Sequence, residues 1–281
     1  MKDTLHFLGI DQADKRIRLF SNIQNEQEEL VEASIWRFPK LGDKPRFRPT
    51  DAKRVDIGEK TSVIIATHGA IFEVPFNYKG KITFAKTYRS CHSVEKLPDG
   101  NLISASSKHG KLRLHFGPSE RSDNLILKSW KDYDLKFAHG VVFDKTSNNI
   151  WALGVHLNKY KYTQDPTPSL ELIQTYNIPE KSGHDLFPDG KGNLMLSTNR
   201  AIYKFDIDKE SLELIADLKS VKSIVSDIQT NDIFLTIPTP KLGYKRWQSH
   251  TILNHTHFKK IKRKKAKFYK VRLWQKNTFS Y

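Results

Sequence analysis

From residue 92 onward the chain alternates apolar and polar residues in short runs, and the runs repeat. Aligned on their first residues, three segments read HSVEKLPDGNLISASSKHGKLRLHF from His92, HGVVFDKTSNNIWALGVHLNKYKY from His139 and HDLFPDGKGNLMLSTNRAIYKFD from His184. A fourth, KSIVSDIQTNDIFLTIP, starts at Lys222. Each holds an alternating stretch, a turn (PDG, DKTSNN, PDGKG, DIQTN) and a second stretch (NLISAS, NIWALG, NLMLST, DIFLTI). A third follows in most (KLRLHF, LNKYKY, AIYKFD), and NLILKSW, LELIQTY and LELIADL supply a fourth. Period-two alternation punctuated by Gly, Asn, Asp and Pro predicts antiparallel strands joined by hairpins. No segment sustains a 3.6-residue period over three turns, so helices are not expected.

The unit is therefore a four-strand meander. Its openings fall 47, 45 and 38 residues apart, close to the ~40–45-residue period of propeller blades. TSVIIATHGAIFEVPFNYKGKITFAKT (61–87) aligns with 192–218 and gives three outer strands of another blade, with AKRVDIG (52–58) as its inner strand. TLHFLGIDQADKRIRLFSN and ELVEASIWRF give three more strands without an inner one, and FYKVRLW (268–274) can fill that place. A C-terminal strand completing the N-terminal blade leaves no unpaired edge at the seam of the ring. The expectation is an all-β, six-bladed β-propeller of four-stranded blades, one domain over 1–281, closed by its C-terminal strand.

With the units in register, the opening residues are Lys53, His92, His139, His184, Lys222 and Tyr269. Innermost propeller strands surround the central channel, so these six are predicted to ring one of its mouths as a ligand-binding set. Three readings stay open. His92, His139 and His184 could hold a divalent transition metal through neutral imidazoles, as three-histidine catalytic sites do. The ring could instead bind an anion through Lys53 and Lys222, with the histidines as donors. Or the histidines could serve structure, bonding backbone carbonyls. His68 and His109, each followed by glycine, read as turn residues, and at least two of His250, His255 and His257 as surface residues of an outer strand. No GxSxG elbow, GxGxxG or phosphate-cradling loop is present.

Charge changes the picture. The chain carries 47 Lys and Arg against 31 Asp and Glu, a net charge of +16, which steers acidic partners toward it. Eight of the basic residues lie in FKKIKRKKAKFYK (258–270). Lys259, Lys260, Lys262, Arg263, Lys264 and Lys265 are thus a candidate polyanion patch, or else a solvated outer strand. No RNA-binding, zinc-finger or helix-turn-helix signature accompanies them, so nucleic acid is not the expected partner. The predicted function is a mouth pocket that takes an anionic small molecule or acidic carbohydrate, extending, if catalytic, to a metal-assisted lyase or hydrolase. The alternative is a non-catalytic scaffold whose basic face docks an acidic protein, polysaccharide or nucleic acid. The single cysteine, Cys91, excludes an intramolecular disulfide framework. No apolar run fits a signal peptide or a membrane span, which predicts a cytoplasmic protein or an exported one whose signal has been removed.

The order DQADKRIRLF, SIWRF, DAKRV, CHSVEKLPDGNLISASS, LRLHF, AHGVVFDKTSNNIWALG, GHDLFPDGKGNLMLST and FYKVRLW resembles a bacterial family of six-bladed propellers of unknown function. The similarity covers nearly the whole chain. It implies the fold and, in many members, an exported setting among glycans, with no assigned reaction. This chain departs from the family in its basic character and in the lengthened PTPKLGYKRWQSH, which reads as a surface loop with Trp247 exposed.

Overall fold

The turns that punctuate the repeat are built by aspartate. In the computed structural model, which describes residues 5–13, 15–21, 47–77, 79–121, 124–239 and 244–281, Asp99, Asp144, Asp189 and Asp227 each stand at or just past the end of an inner strand. Their Oδ1 atoms accept the backbone N–H of Asn101 (3.2 Å), Thr146 (3.0 Å), Lys191 (2.7 Å) and Gln229 (2.9 Å). A carboxylate that bonds the amide two residues on reverses the chain and starts the next strand.

Every element of the described residues is a strand. The first sheet holds β1 (His6–Asp11) and β2 (Arg16–Ser21), with β23 (Phe268–Leu273) antiparallel to β1. Next come two meanders, β3 (Pro49–Ile57), β4 (Lys60–Thr67), β5 (Ala70–Pro75), β6 (Ile82–Lys86), and β7 (Cys91–Lys96), β8 (Leu102–Ser106), β9 (Lys111–Arg121), β10 (Asn124–Asp134). They merge into one eight-stranded sheet because β6 and β10 pair in parallel over Ile82–Phe84 and Asn124–Ile126. Three separate four-stranded sheets follow. They are β11 (Gly140–Asp144), β12 (Asn149–Leu153), β13 (His156–Thr163), β14 (Ser169–Asn177); β15 (Asp185–Pro188), β16 (Leu194–Ser197), β17 (Ile202–Asp206), β18 (Ser211–Ala216); and β19 (Ser223–Ser226), β20 (Ile233–Thr236), β21 (Thr251–Asn254), β22 (Lys259–Lys262).

The result is an all-β, propeller-like arrangement of small antiparallel sheets. Its inner strands pack in sequence, β3 on β7, β7 on β11, β11 on β15, β15 on β19, β19 on β23 and β23 back on β3. The apolar faces are buried between neighbours. Phe7, Phe20 and Phe268 pack with Phe234 and Ile252, Trp151 with Phe205 and Leu186, and Val55 with Val94 and Leu102. Each fully buried side chain of this size stabilises by roughly 1.5–3 kcal/mol. At Gly140 the approach of β15 is so close that a Cβ would lie 2.5 Å from Leu186 Cβ.

Two expectations need correction, and a third falls outside the described residues. The strand β3 begins at Pro49 rather than residue 52, and its pairing with β4 is bulged between Pro49 and Asp51. The ribbon β9–β10 is longer than KLRLHF and NLILKSW, and its far end reaches β6. The stretch ELVEASIWRF lies outside the described residues. No helix among the described residues is long and apolar enough to cross a membrane.

Candidate functional site

The rim residues are aimed by a recurring backbone device. Bulges in the β3–β4 and β7–β8 pairings pass over Thr50 and His92. The amides of His139, His184 and Lys222 bond the carbonyls of Leu153 (2.8 Å), Ser197 (2.7 Å) and Thr236 (2.9 Å). Those carbonyls belong to the residues that face the next position, Gly140, Asp185 and Ser223. Upstream, Ser90, Phe137, Lys181 and Ser220 adopt φ of 61°, 63°, 48° and 63°. For non-glycine residues this left-handed region is uncommon, and for a ring as bulky as Phe137 it is an outlier that the surroundings must hold in place.

Five of the six predicted residues, His92, His139, His184, Lys222 and Tyr269, line one pocket of about 300 Å³. That is the lower end of the ~300–1,000 Å³ range of ligand pockets. The rings of His92 and His139 stack at 4.4 Å, and His139 meets His184 edge-on at 5.2 Å. The Phe137 carbonyl can only accept, so His139 Nδ1 donates to it at 2.8 Å and Nε2 keeps its lone pair. His92 Nδ1 lies 2.8 Å from the Tyr269 hydroxyl. Burial first, then Asp185 and Asp51, push the Tyr269 phenol up, so the hydroxyl keeps its proton. Lys222 Nζ lies 2.8 Å from His184 Nε2. Asn199 Oδ1, an acceptor, lies 2.5 Å from the same Nε2, which thus sits between the Lys222 amine and an amide oxygen.

All three histidines are held neutral. Burial lowers each of them, aided by Lys270 at His92, by the neighbouring imidazoles at His139 and by Lys222 at His184, which falls to about 4. Burial, then Lys270, lowers Lys222 from 10.5 to about 8. The donor set does not fit a resident metal. Among the described residues no group of three or more His, Cys, Asp or Glu is disposed to hold one. Imidazole lone pairs lie in the ring plane, so the near-parallel rings of His92 and His139, 19° apart, direct theirs side by side rather than to one point at the ~2.0–2.1 Å that zinc requires.

The sixth predicted residue, Lys53, is not on the rim. Asp51 faces Ala66 as Ser93 faces Ala105, so Thr50 is the counterpart of His92 and Lys53 that of Glu95. Lys53 is buried below the pocket, where Nζ bonds Glu95 Oε2 (3.0 Å) and the Val141 carbonyl (2.6 Å). Around it the channel is filled by charge. Arg272 donates to Asp51 (2.9 Å) and to both oxygens of Asp185 (2.6 and 2.8 Å), and Lys270 donates to Asp185 (2.8 Å). Three cations thus face three carboxylates, and none of the six side chains is more than 1% exposed. Burial alone would raise Asp185, but Arg272 and Lys270 outweigh it and hold the carboxyl below its usual range.

Other residues of the pocket escaped the sequence reasoning: Gln12, Arg48, Thr50, His68, Ser90 and Trp247. His68 is a pocket residue rather than a plain turn residue. Trp247 is half-buried rather than exposed, its Nε1 donating to Gln12 Oε1 at 3.1 Å and its ring lying 5.7 Å from the Arg48 guanidinium. Of these, the sequence singles out only His68, as a turn residue, and Trp247, as an exposed residue of the lengthened PTPKLGYKRWQSH. His250 precedes β21, while His255 and His257 occupy the turn after it. The basic stretch forms β22, the outer strand of its sheet, and the turn beyond it; Lys259, Lys260, Lys262, Lys264 and Lys265 are exposed and Arg263 is half-buried.

Fold and site together define a propeller-like protein with a basic, histidine-lined pocket at one mouth of its channel. The chain belongs to the family of unknown function DUF6528, which matches residues 36–281. No curated protein matches it. Among solved structures it is similar to a protein of unknown function from Bacteroides caccae, at 9% identity and a TM-score of 0.57, covering 96% of this chain and 99% of that one. It is also similar to a candidate 6-phosphogluconolactonase from Bacteroides uniformis, at 15% identity and a TM-score of 0.56, covering 93% and 82%. At these identities the likeness speaks to the fold alone.

Proposed function

We propose that the chain is a six-bladed propeller whose mouth pocket binds an anionic small molecule, an acidic carbohydrate above all. The blade count rests on the closed succession of inner strands and on dividing the eight-stranded sheet at its parallel β6–β10 junction. One observation carries the ligand class: the eleven lining residues include Arg48 and Lys222 and no Asp or Glu. Four buried polar atoms of that lining, Arg48 Nε, Thr50 Oγ1, His68 Nδ1 and His184 Nδ1, have no hydrogen-bond partner among the described residues. Buried polar groups are rarely left so. Two of these, Arg48 Nε and Thr50 Oγ1, are donors that a carboxylate would satisfy. Trp247 adds a flat apolar face. If the site is catalytic, a lyase or hydrolase reaction on a uronate suits it, with the cations neutralising the carboxylate and His139 Nε2 placed to take a proton.

Thermal unfolding with galacturonate, glucuronate or gluconate, against glucose and galactose, tests the reading. A ligand that binds only the folded chain raises Tm. The acids should raise it and the neutral sugars should not, and Lys222→Met should abolish the rise. Equal stabilisation by neutral sugars overturns the anionic reading.

A second reading, an acidic partner docked on the basic face, is favoured by the exposure of five lysines along β22 and its turn. Lysines on an outer strand also discourage edge pairing, so this reading stands second.

A further inference from the structure

The basic surface does not end at the mouth pocket. Beside it lies a second depression of about 720 Å³ whose lining includes Lys108, His109, Lys136, Phe137, Lys181 and Asn199. The two share a wall. The Phe137 ring packs on His139 and His184 at centroid distances of 4.2 and 5.7 Å, and the Asn199 amide contacts His184 Nε2. Lys108 comes from the β8–β9 hairpin, Lys136 from the β10–β11 connection and Lys181 from the β14–β15 connection. All three are exposed, and among the described residues none of them is paired with a carboxylate. Asp134, the acidic residue of this lining, is bound by Lys111 Nζ at 2.6 Å. Three loops therefore bring unpaired cations to one hollow, and a left-handed backbone at Phe137 sets an aromatic ring between that hollow and the histidines.

We propose that the mouth pocket and this depression together hold a chain-like anion, an acidic oligosaccharide, with one carboxylate at Lys222 and Arg48 and the following units crossing Phe137 toward Lys136, Lys108 and Lys181. The inference rests on the reading of the mouth pocket as an anion site and adds that the ligand is an oligomer. Each further acidic unit meets a further cation, so affinity grows with chain length while the first unit is held as before.

Calorimetry with galacturonate and mannuronate and their linear dimers to tetramers, at low ionic strength, tests this. For the wild type, affinity should rise at least tenfold from monomer to tetramer in one of the two series. In K108Q/K136Q/K181Q that gain should vanish with monomer affinity unchanged, and K108R/K136R/K181R should restore it. If the monomer binds but the tetramer binds no more tightly, or if the glutamine variant keeps the gain, the oligomer inference is overturned and the mouth-pocket reading stands. If neither monomer nor tetramer of either series binds the wild type, both fall together.

Discussion

Thr50, His184 and Tyr269 line the pocket; Asp51, Asp185 and Lys270, each one residue further along, fill the channel beneath it. The lower layer is charge-balanced, with three cations bonded to three carboxylates in full burial. The upper layer carries cations and neutral imidazoles without a single carboxylate and keeps polar atoms unpartnered. A one-residue step along the inner strand separates groups that satisfy each other from groups that need something else. Charge type does not distinguish the layers, since both contain lysine; pairing does.

The largest break in this comparison comes from the lower layer. Arg272→Met leaves Asp51 and Asp185 buried and short of a partner, a change that costs about 3–5 kcal/mol in comparable pairs, visible as a lower urea midpoint. His139→Ala, in the upper layer, should shift Tm by no more than a couple of degrees while weakening uronate binding roughly tenfold or more, about 1.4 kcal/mol or above. The contrast is lost if His139→Ala unfolds the protein as readily as Arg272→Met.

A pH titration sharpens the same contrast. Lys222, lowered to about 8, is charged below that pH, so affinity for an anion should be highest below pH 8 and decline above it. The decline should be absent in Lys222→Met. Because the unfolded chain keeps this proton up to about 10.5, the unliganded fold should gain stability from Lys222 as pH rises between 8 and 10.5. Between pH 5 and 7 binding should stay flat, since His184 titrates only near 4 and His92 and His139 are also held well below their ordinary value. A transition near pH 6.5 would show that the histidines are more solvated than the packing indicates.

The smallest effect concerns the outer strand. Neutralising Lys259, Lys260, Lys264 and Lys265 should flatten the salt dependence of heparin binding without altering uronate binding at the mouth. An unchanged slope would place polyanion contact elsewhere.

The repeat was legible because each unit carries its own turn chemistry: Asp144, Asp189 and Asp227 stand at the same distance behind His139, His184 and Lys222. For the same reason three histidines could be aligned without coordinates. Lys53 was misplaced because KRV matches HSV in pattern while the true counterpart, Thr50-Asp51-Ala52, has lost the aliphatic bulk of Val94. Arg48, Gln12 and Trp247 were illegible because they come from outside the repeating inner strands, and only tertiary packing brings them to the rim. The parallel junction of β6 with β10 has no sequence signature at all, being a contact between the outer edges of two separate meanders.

The pairing of β1 with β23 has a consequence in time. Asp11 faces Phe268, so on a ribosome adding ~5–20 residues per second the first strand emerges long before the partner that completes it. Until then β1 offers an unpaired edge, the kind of template that captures stray strands. Closure also joins positions far apart in sequence, a contact order that slows folding. The nascent chain therefore passes through a prolonged, unsealed stage, and a chaperone that shields HFLGID during synthesis would act at the point of greatest exposure.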